Sequence, residues 1–144
     1  MYGLESAWLT KFEKKKLDSF HVYCLRKIDR ISHSMISRVT NKYILEKYGA
    51  IPLSNILLRR QLILFGKIAR LPSTAFLRNL VFEANSLETR RIQNRKRGRP
   101  REDWISELEK VVVRMVPNIA ERESCIRDEE SWKQKVWNYT ELFK

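Results

Sequence analysis

The sequence predicts an all-α fold, and three observations predict it. Apolar residues recur three and four apart over most of the chain, which sets one face of a helix against a core. The breaks between these runs carry helix punctuation, with Thr10 and Thr40 as caps and Gly49, Pro72 and Pro117 as stops. No run shows the apolar–polar alternation of a half-buried strand, and no repeat recurs at a fixed period. With 144 residues, 43% of them hydrophobic, the chain supports one domain, or one domain with an appended piece, around a modest core.

The first element is a long amphipathic helix over about 11–31. Thr10 and Glu13 form the Thr-x-x-Glu capping box that starts it. Phe12, Leu17, Phe20, Cys24, Leu25, Ile28 and Ile31 follow at helical spacing, and Phe20 and Leu25 are expected in the core. Lys14, Lys15, Lys16, Arg26, Lys27 and Arg30 fall largely on the other side. Ser32, Ser34 and Ser37 mark a loop. Thr40 then caps a short helix carrying Tyr43, Ile44 and Leu45, which Gly49 stops.

Pro52 and Ser54 open the next helix. Ile56, Leu57, Leu58, Leu62, Leu64, Phe65, Ile68 and Ala69 make it apolar on more than half its circumference. It is expected to be the central helix, with Leu62 and Phe65 buried. Pro72 closes it, because the residue before a proline is steered out of the helical region. A shorter helix over about 74–83 carries Phe76, Leu77, Leu80, Val81 and Phe82. Pro100 opens another, and Glu102 and Asp103 in its first turn complement the helix dipole. Trp104, Ile105, Leu108, Val111, Val112 and Met115 form its apolar stripe, and Pro117 breaks it. Residues 118–127 and 129–143 complete the chain as two helices, the last carrying Trp132, Val136, Trp137 and Leu142.

Between the two groups of helices, residues 84–99 lose apolar periodicity and turn polar, then basic. The organisation is thus a helical bundle over 1–83, a linker over 84–99, and C-terminal helices over 100–144. The net charge of +12 is unevenly spread. Residues 1–90 carry sixteen Lys/Arg against seven Asp/Glu, residues 91–101 six against none, and residues 102–144 seven against ten. Six cations in eleven residues cannot all be buried, so they face water or a polyanion. Within them, Arg97-Gly98-Arg99-Pro100 has the form of an AT-hook core, an arm suited to the narrow minor groove of A·T-rich DNA. The plainer alternative is a solvated linker whose Pro100 starts a helix.

Several chemistries lack their residues. There is no Gly-x-Ser-x-Gly elbow, no Gly-rich phosphate loop and no carboxylate cluster for two metals. His21, Cys24 and His33 supply too few ligands for a closed zinc site without Cys125. No catalytic, cofactor or metal residue is assigned, and no cofactor is expected. Cys24 and Cys125 lie far apart in sequence, so a reducing intracellular compartment is expected, nucleus and organelle being indistinguishable. No apolar run has the length to span a bilayer, and Met1–Trp8 lacks the features of a secretory signal, so no membrane partner is expected. What remains is nucleic-acid binding, mainly through backbone contacts. The candidates are Arg59, Arg60, Lys67 and Arg70 on the central helix and Arg91, Arg95, Lys96, Arg97, Arg99 and Arg101 on the linker. A basic structural subunit of a large ribonucleoprotein assembly is the alternative.

Taken in order, five short stretches form a set. Tyr2-Gly3-Leu4-Glu5-Ser6-Ala7-Trp8 resembles the Tyr-Gly-x-Glu-x-x-Trp box that follows the palm in reverse transcriptases of non-LTR, LINE-type retroelements. Leu17-Asp18-Ser19-Phe20-His21-Val22-Tyr23-Cys24-Leu25-Arg26-Lys27-Ile28 is similar to that family's Leu-Asp-x-Phe-x-x-x-Cys-Leu-Arg-x-Ile helix. Arg38-Val39-Thr40-Asn41 matches its Arg-Val-x-Asn. The stretch from Leu58 to Arg70 resembles its Arg-x-Leu-x-x-x-Gly-His-x-Ala-Arg helix, with Lys67 in place of the common His. Gly98-Arg99-Pro100-Arg101-Glu102-Asp103-Trp104 matches its Gly-Arg-Pro-x-x-x-Trp. The resemblance covers about residues 2–137. It implies a thumb-like helical bundle that grips a template–primer duplex. The Tyr/Phe-x-Asp-Asp metal site and the downstream Cys/His cluster of some members are not in this sequence. The resemblance therefore carries over a duplex-gripping surface and no catalysis, either in a free-standing protein or as part of a larger polymerase.

Overall fold

Helix α1 (Lys11–Ile28) starts where its capping box places it. Glu13 N donates to the Thr10 hydroxyl at 3.3 Å, and Thr10 N donates to Glu13 Oε2 at 2.7 Å. The structure is a computed structural model, and it describes residues 3–83, 86–90 and 103–141. The eight α-helices of those residues come without a strand; Phe82 and Thr89 form an isolated antiparallel bridge. The all-α expectation holds.

The face that α1 buries is not the expected one. Val22 and Arg26 are its buried residues, whereas Phe20 is 61% exposed and Leu25 is half-buried. Residues two apart on a helix point about 200° apart, so a Val22 that reaches the core turns Phe20 to solvent. Arg26, expected among the solvated cations, is instead enclosed by the segment that follows the helix. Its guanidinium donates to Ser32 O at 3.1 Å, Ser37 Oγ at 3.4 Å, Asn41 Oδ1 at 3.1 Å and Val39 O. The helix ends three residues short of 31, and Arg30 lies in the left-handed region at φ 55°.

The expected serine loop contains one helical turn, α2 (Ser34–Ser37), with His33 Nδ1 accepting from Met35 N. Thr40 caps α3 (Asn41–Lys47) as its position predicts, and Gly49 follows at φ 54°. α3 is clasped to the end of α1 by Asp29, which accepts from Lys47 Nζ at 2.6 Å and from the Tyr48 hydroxyl. The Lys47 bond, then the Tyr48 bond, hold the Asp29 carboxyl below its usual range. A depressed carboxyl stabilises at neutral pH and stops doing so as pH falls through the lowered value.

Helix α4 (Leu53–Ala69) is the central element, as expected, and Leu57, Leu62, Phe65, Ile68 and Ala69 are buried on it. Its N-cap, Pro52, has no side-chain acceptor. Asp18 of α1 supplies one, taking Ser54 N at 2.8 Å and Ser54 Oγ at 2.7 Å. A helix start that wants an anion is thereby satisfied by the neighbouring helix, which docks the two together.

α5 (Phe76–Val81) is shorter than 74–83, because Phe82 is already extended. Residues 86–90, expected to be structureless linker, fold back on it: Arg90 N donates to Val81 O at 2.8 Å and Thr89 is buried. Arg78 of α5, itself buried, braces the return by donating to Ser86 O at 3.0 Å and to Ala69 O at 3.3 Å. α6 (Trp104–Met115) begins after Asp103, which is its N-cap rather than a first-turn residue and accepts from Ser106 N at 2.8 Å. Pro100 lies outside the described residues. α7 (Ile119–Arg127) and α8 (Glu129–Glu141) follow near the expected bounds.

α8 lies along α4, with α5, α6 and α7 closing the rest of the core. Phe65 packs edge-on to Phe82 at 5.2 Å and tilted to Trp132 at 6.5 Å. Leu108 and Val112 of α6, Ile126 of α7 and Val136 of α8 join the same cluster. Helices from both sides of residues 84–99 therefore share one core. The short 3-10 turn Leu4–Ser6 is fixed from two directions: Trp104 Nε1 donates to Glu5 O at 2.7 Å, and Gln61 Nε2 to Ala7 O at 2.6 Å.

Candidate nucleic-acid interface

The four candidate cations of α4 divide into two pairs. Arg59 lies over the Trp137 ring, 3.7 Å from its centroid, and its Nε donates to Thr140 Oγ1 at 2.9 Å. Arg70 donates to Ile126 O at 3.0 Å and lies 3.8 Å from Glu129 Oε2. Both tie α4 to the C-terminal helices, where their guanidinium planes suit stacking and bidentate contact. The expected row 60, 67, 70 accordingly loses Arg70 to the interior side. Arg60 and Lys67 remain, both exposed. They are seven residues apart, two helical turns, so they share one face about 10 Å apart along the axis.

Along the sequence, the neighbourhood of that pair is free of acid. From Lys47 to Phe82 the chain has six cations and no carboxylate. α8, which lies along α4, and α7 carry acids that are matched by lysines of α8. Glu129 takes Lys133 at 2.9 Å, and Glu121 takes Lys135 at 2.8 Å. The Lys133 hydrogen bond is the main cause of a lowered Glu129 pKa, with its charge next and Arg70 and Lys67 contributing less. Lys67 thus faces a carboxylate at some distance, and Arg60 is the less encumbered of the two.

Arg91, Arg95, Lys96, Arg97, Arg99 and Arg101, with the AT-hook-like core, lie outside the described residues. The fold places only their anchors, Arg90 beside α5 and Asp103 at the start of α6.

A groove of about 430 Å³ between the 86–90 return and α6–α7 is lined by Glu83, Glu88, Glu109 and Glu123 with Arg122. Among the described residues, no group of three or more His, Cys, Asp or Glu converges to hold a metal ion. Cys24 and Cys125 are both unpaired thiols. Among the described residues, no helix is long and apolar enough to cross a membrane.

One set of candidates escaped the sequence reading. Phe12, Lys16, Phe20, Tyr23 and Lys27 lie on the solvent face of α1. Their steps of four, four, three and four make a helical line, but the spacing sets Phe12 and Phe20 on the apolar face of the helix.

Several residues quoted for the resemblance hold the helices together. Trp104 clamps the Glu5 turn, Asp18 docks α4, Arg26 gathers Val39 and Asn41, and Gly66 admits Trp132. Compared with family models, curated proteins and solved structures, the chain matches none.

Proposed function

We propose that this chain is a non-catalytic, helical nucleic-acid-binding module, related to the post-palm region of a retroelement reverse transcriptase. The observation that carries the reading is the exposed Arg60–Lys67 pair on a helix without a carboxylate, in a chain that adds six acid-free cations at 91–101. Each cation set against a phosphate releases a counterion, so the affinity comes from backbone contact rather than base identity. The five ordered motifs support the relation to the polymerase region. Arg59 and Arg70 belong to the scaffold and not to the binding surface.

Salt dependence tests the binding. A surface engaging about six phosphates of a duplex gives a log–log slope near −5. Arg60→Ala, Arg97→Ala and Arg99→Ala are each expected to flatten the slope by about one unit. Backbone-dominated binding weakens equally on all sequences. An AT-hook arm instead makes Arg97→Ala and Arg99→Ala hurt A·T-rich duplex far more than G·C-rich duplex. Unchanged affinity on DNA and RNA after neutralising Arg95, Lys96, Arg97, Arg99 and Arg101 together would sink the arm's role.

The purified chain is also expected to incorporate no nucleotide and cleave no strand with magnesium or manganese, because two-metal chemistry needs clustered carboxylates that this sequence lacks. Primer extension that survives a contaminant control would overturn that expectation.

A second reading, a structural subunit of a ribonucleoprotein assembly, is favoured by the short turn α2. Met35 and Ile36 there are 87% and 78% exposed, which is unusual for adjacent apolar side chains. A subunit sediments with an assembly, whereas a free binder does not.

A further inference from the structure

Phe12, Lys16, Phe20, Tyr23 and Lys27 form a continuous stripe on the solvent side of α1, running about 22 Å along the axis. The three rings are exposed, Phe12 at 66% and Tyr23 at 53%. Two lysines are interleaved with them. Lys16 Nζ stands 4.5 Å from the Phe12 centroid, and Lys27 Nζ 5.4 Å from that of Tyr23. The two carboxylates of α1 are committed to caps, Glu13 to Thr10 and Asp18 to Ser54.

Beside the stripe runs a groove of about 500 Å³ between α1 and the segment that Arg26 holds in place. Phe20, Tyr23 and Lys27 line it on the α1 side, with His33, Ser34 and Asn41 on the other. Among the described residues, no carboxylate lines it. The combination of flat apolar faces, hydroxyl and amide groups, and positive charge fits an occupant with a π-face, a hydrogen-bonding edge and a negative charge. That is a nucleotide, and a 22 Å line of such features fits several in succession. A duplex hides its base faces within the stack and has no use for exposed rings. An unpaired strand offers both bases and phosphates.

We propose that the exposed face of α1 binds single-stranded nucleic acid. Bases stack on Phe12, Phe20 and Tyr23, phosphates meet Lys16 and Lys27, and one base enters the groove beside Tyr23. This goes beyond the duplex reading and stands on α1 alone, so it survives if the arm and Arg60 bind nothing. Phe12, Lys16 and Lys27 would swing their present ring–ammonium contacts aside for the strand.

The test is an anisotropy titration of the full chain with a pyrimidine RNA strand of about 20 nucleotides, the same strand in DNA, and the DNA duplex. Each stacked base lost by truncation to alanine weakens binding from about fivefold to more than a hundredfold. Phe20→Ala/Tyr23→Ala is therefore expected to weaken both single strands at least tenfold and to leave the duplex within twofold. Tyr23→Trp should preserve binding. Lys16→Ala/Lys27→Ala should flatten the single-strand salt slope by about 1.4 units. The replaced rings are exposed, so the circular-dichroism melt should not move. Phe12→Ala, at the other end of the stripe, repeats the test should the double variant unfold. Single-strand affinity that is absent in the parent or unaltered in these variants overturns the proposal. So does a duplex affinity that falls in parallel, which would mean that the face reads backbone alone. Sedimentation showing that Phe20→Ala/Tyr23→Ala dissociates a dimer or a protein complex also overturns it, and would make the stripe a protein interface. A preference between the RNA and DNA strands identifies the source of the bound strand.

Discussion

Gly66→Ala is expected to destabilise the protein by about 2–4 kcal/mol, although alanine is the better helix former by roughly 1 kcal/mol. The cause is a single close approach. A Cβ built on Gly66 would sit 2.3 Å from Trp132 Nε1 and 2.5 Å from its Cδ1, both on a ring that is fully buried. Trp132 comes this near because its indole N–H donates to Leu62 O at 2.9 Å, one turn before Gly66 on α4. Moving the ring leaves that N–H without its acceptor in the core, and such a loss costs about 1–3 kcal/mol. The surrounding Phe65, Phe82 and Val136 leave the ring no free volume to retreat into. Trp132→Ala alone should cost about 3–5 kcal/mol through the cavity it opens. In that background the clash is gone, so adding Gly66→Ala should be neutral or mildly stabilising. The coupling between the two sites should then reach about 2 kcal/mol or more, a value reserved for residues in contact. Urea denaturation of the four proteins in this cycle measures it. Additive costs would mean that α8 does not lie on Gly66.

Much of this arrangement was legible in the sequence, and the unread part has a common cause. Thr10 and Thr40 act on backbone groups within three residues, so their capping roles follow from spacing alone, whereas Asp103 caps a helix whose start the sequence placed at Pro100. The burial of α4 followed from apolar residues on more than half its circumference, which leaves no choice of face. On α1 the spacing assigned Phe20 and Leu25 to the core, whereas Val22 and Arg26 are the residues buried. Which face wins depends on Asp18 reaching Ser54 and Arg26 reaching Val39, contacts 36 and 13 residues away. The same holds for the α4 cations. Arg59 and Arg60 are adjacent and identical in type, yet one stacks on Trp137 and the other meets solvent. Only the position of α8 separates them, and nothing local to residues 59–60 reports it. The charge of 91–101 is legible as composition, and a role follows from it only through binding measurements.

Arg26→Ala is expected to release the whole segment from Ser32 to Asn41 rather than to weaken the core evenly. A single guanidinium serves four acceptors there, two of them backbone carbonyls, Ser32 O and Val39 O. All four are uncharged, so the buried cation is held by dipoles aimed at it. Truncation removes these bonds and leaves Val39 O short of a donor, while Ser32 O keeps the Ser37 hydroxyl at 3.1 Å; the loss costs about 2–4 kcal/mol. Arg38 sits inside this segment at φ 54°, a conformation unfavourable by about 1 kcal/mol for a side chain with a Cβ. Without Arg26 only the Ser37 hydroxyl bonds and the backbone bonds of α2 offset that strain, and a turn this short is too weak to persist on them. Opening should therefore be local. Trypsin cleavage after Arg30 and Arg38 should accelerate by about 30-fold or more, since proteolysis of a transiently open segment follows its opening free energy. Amide exchange should rise across 32–41, while the amides of α4 and α8 stay close to the parent. Arg26→Lys should behave like the alanine variant, because one ammonium cannot span acceptors arranged for a planar fork. The groove beside Tyr23 should be lost with the segment, because His33, Ser34 and Asn41 form its far wall. The stacking stripe on α1 should remain, because its rings are carried by the helix itself. Cleavage that accelerates equally in α4 would mean that Arg26 supports the global fold instead. Unchanged cleavage and exchange would mean that the segment holds itself without the guanidinium.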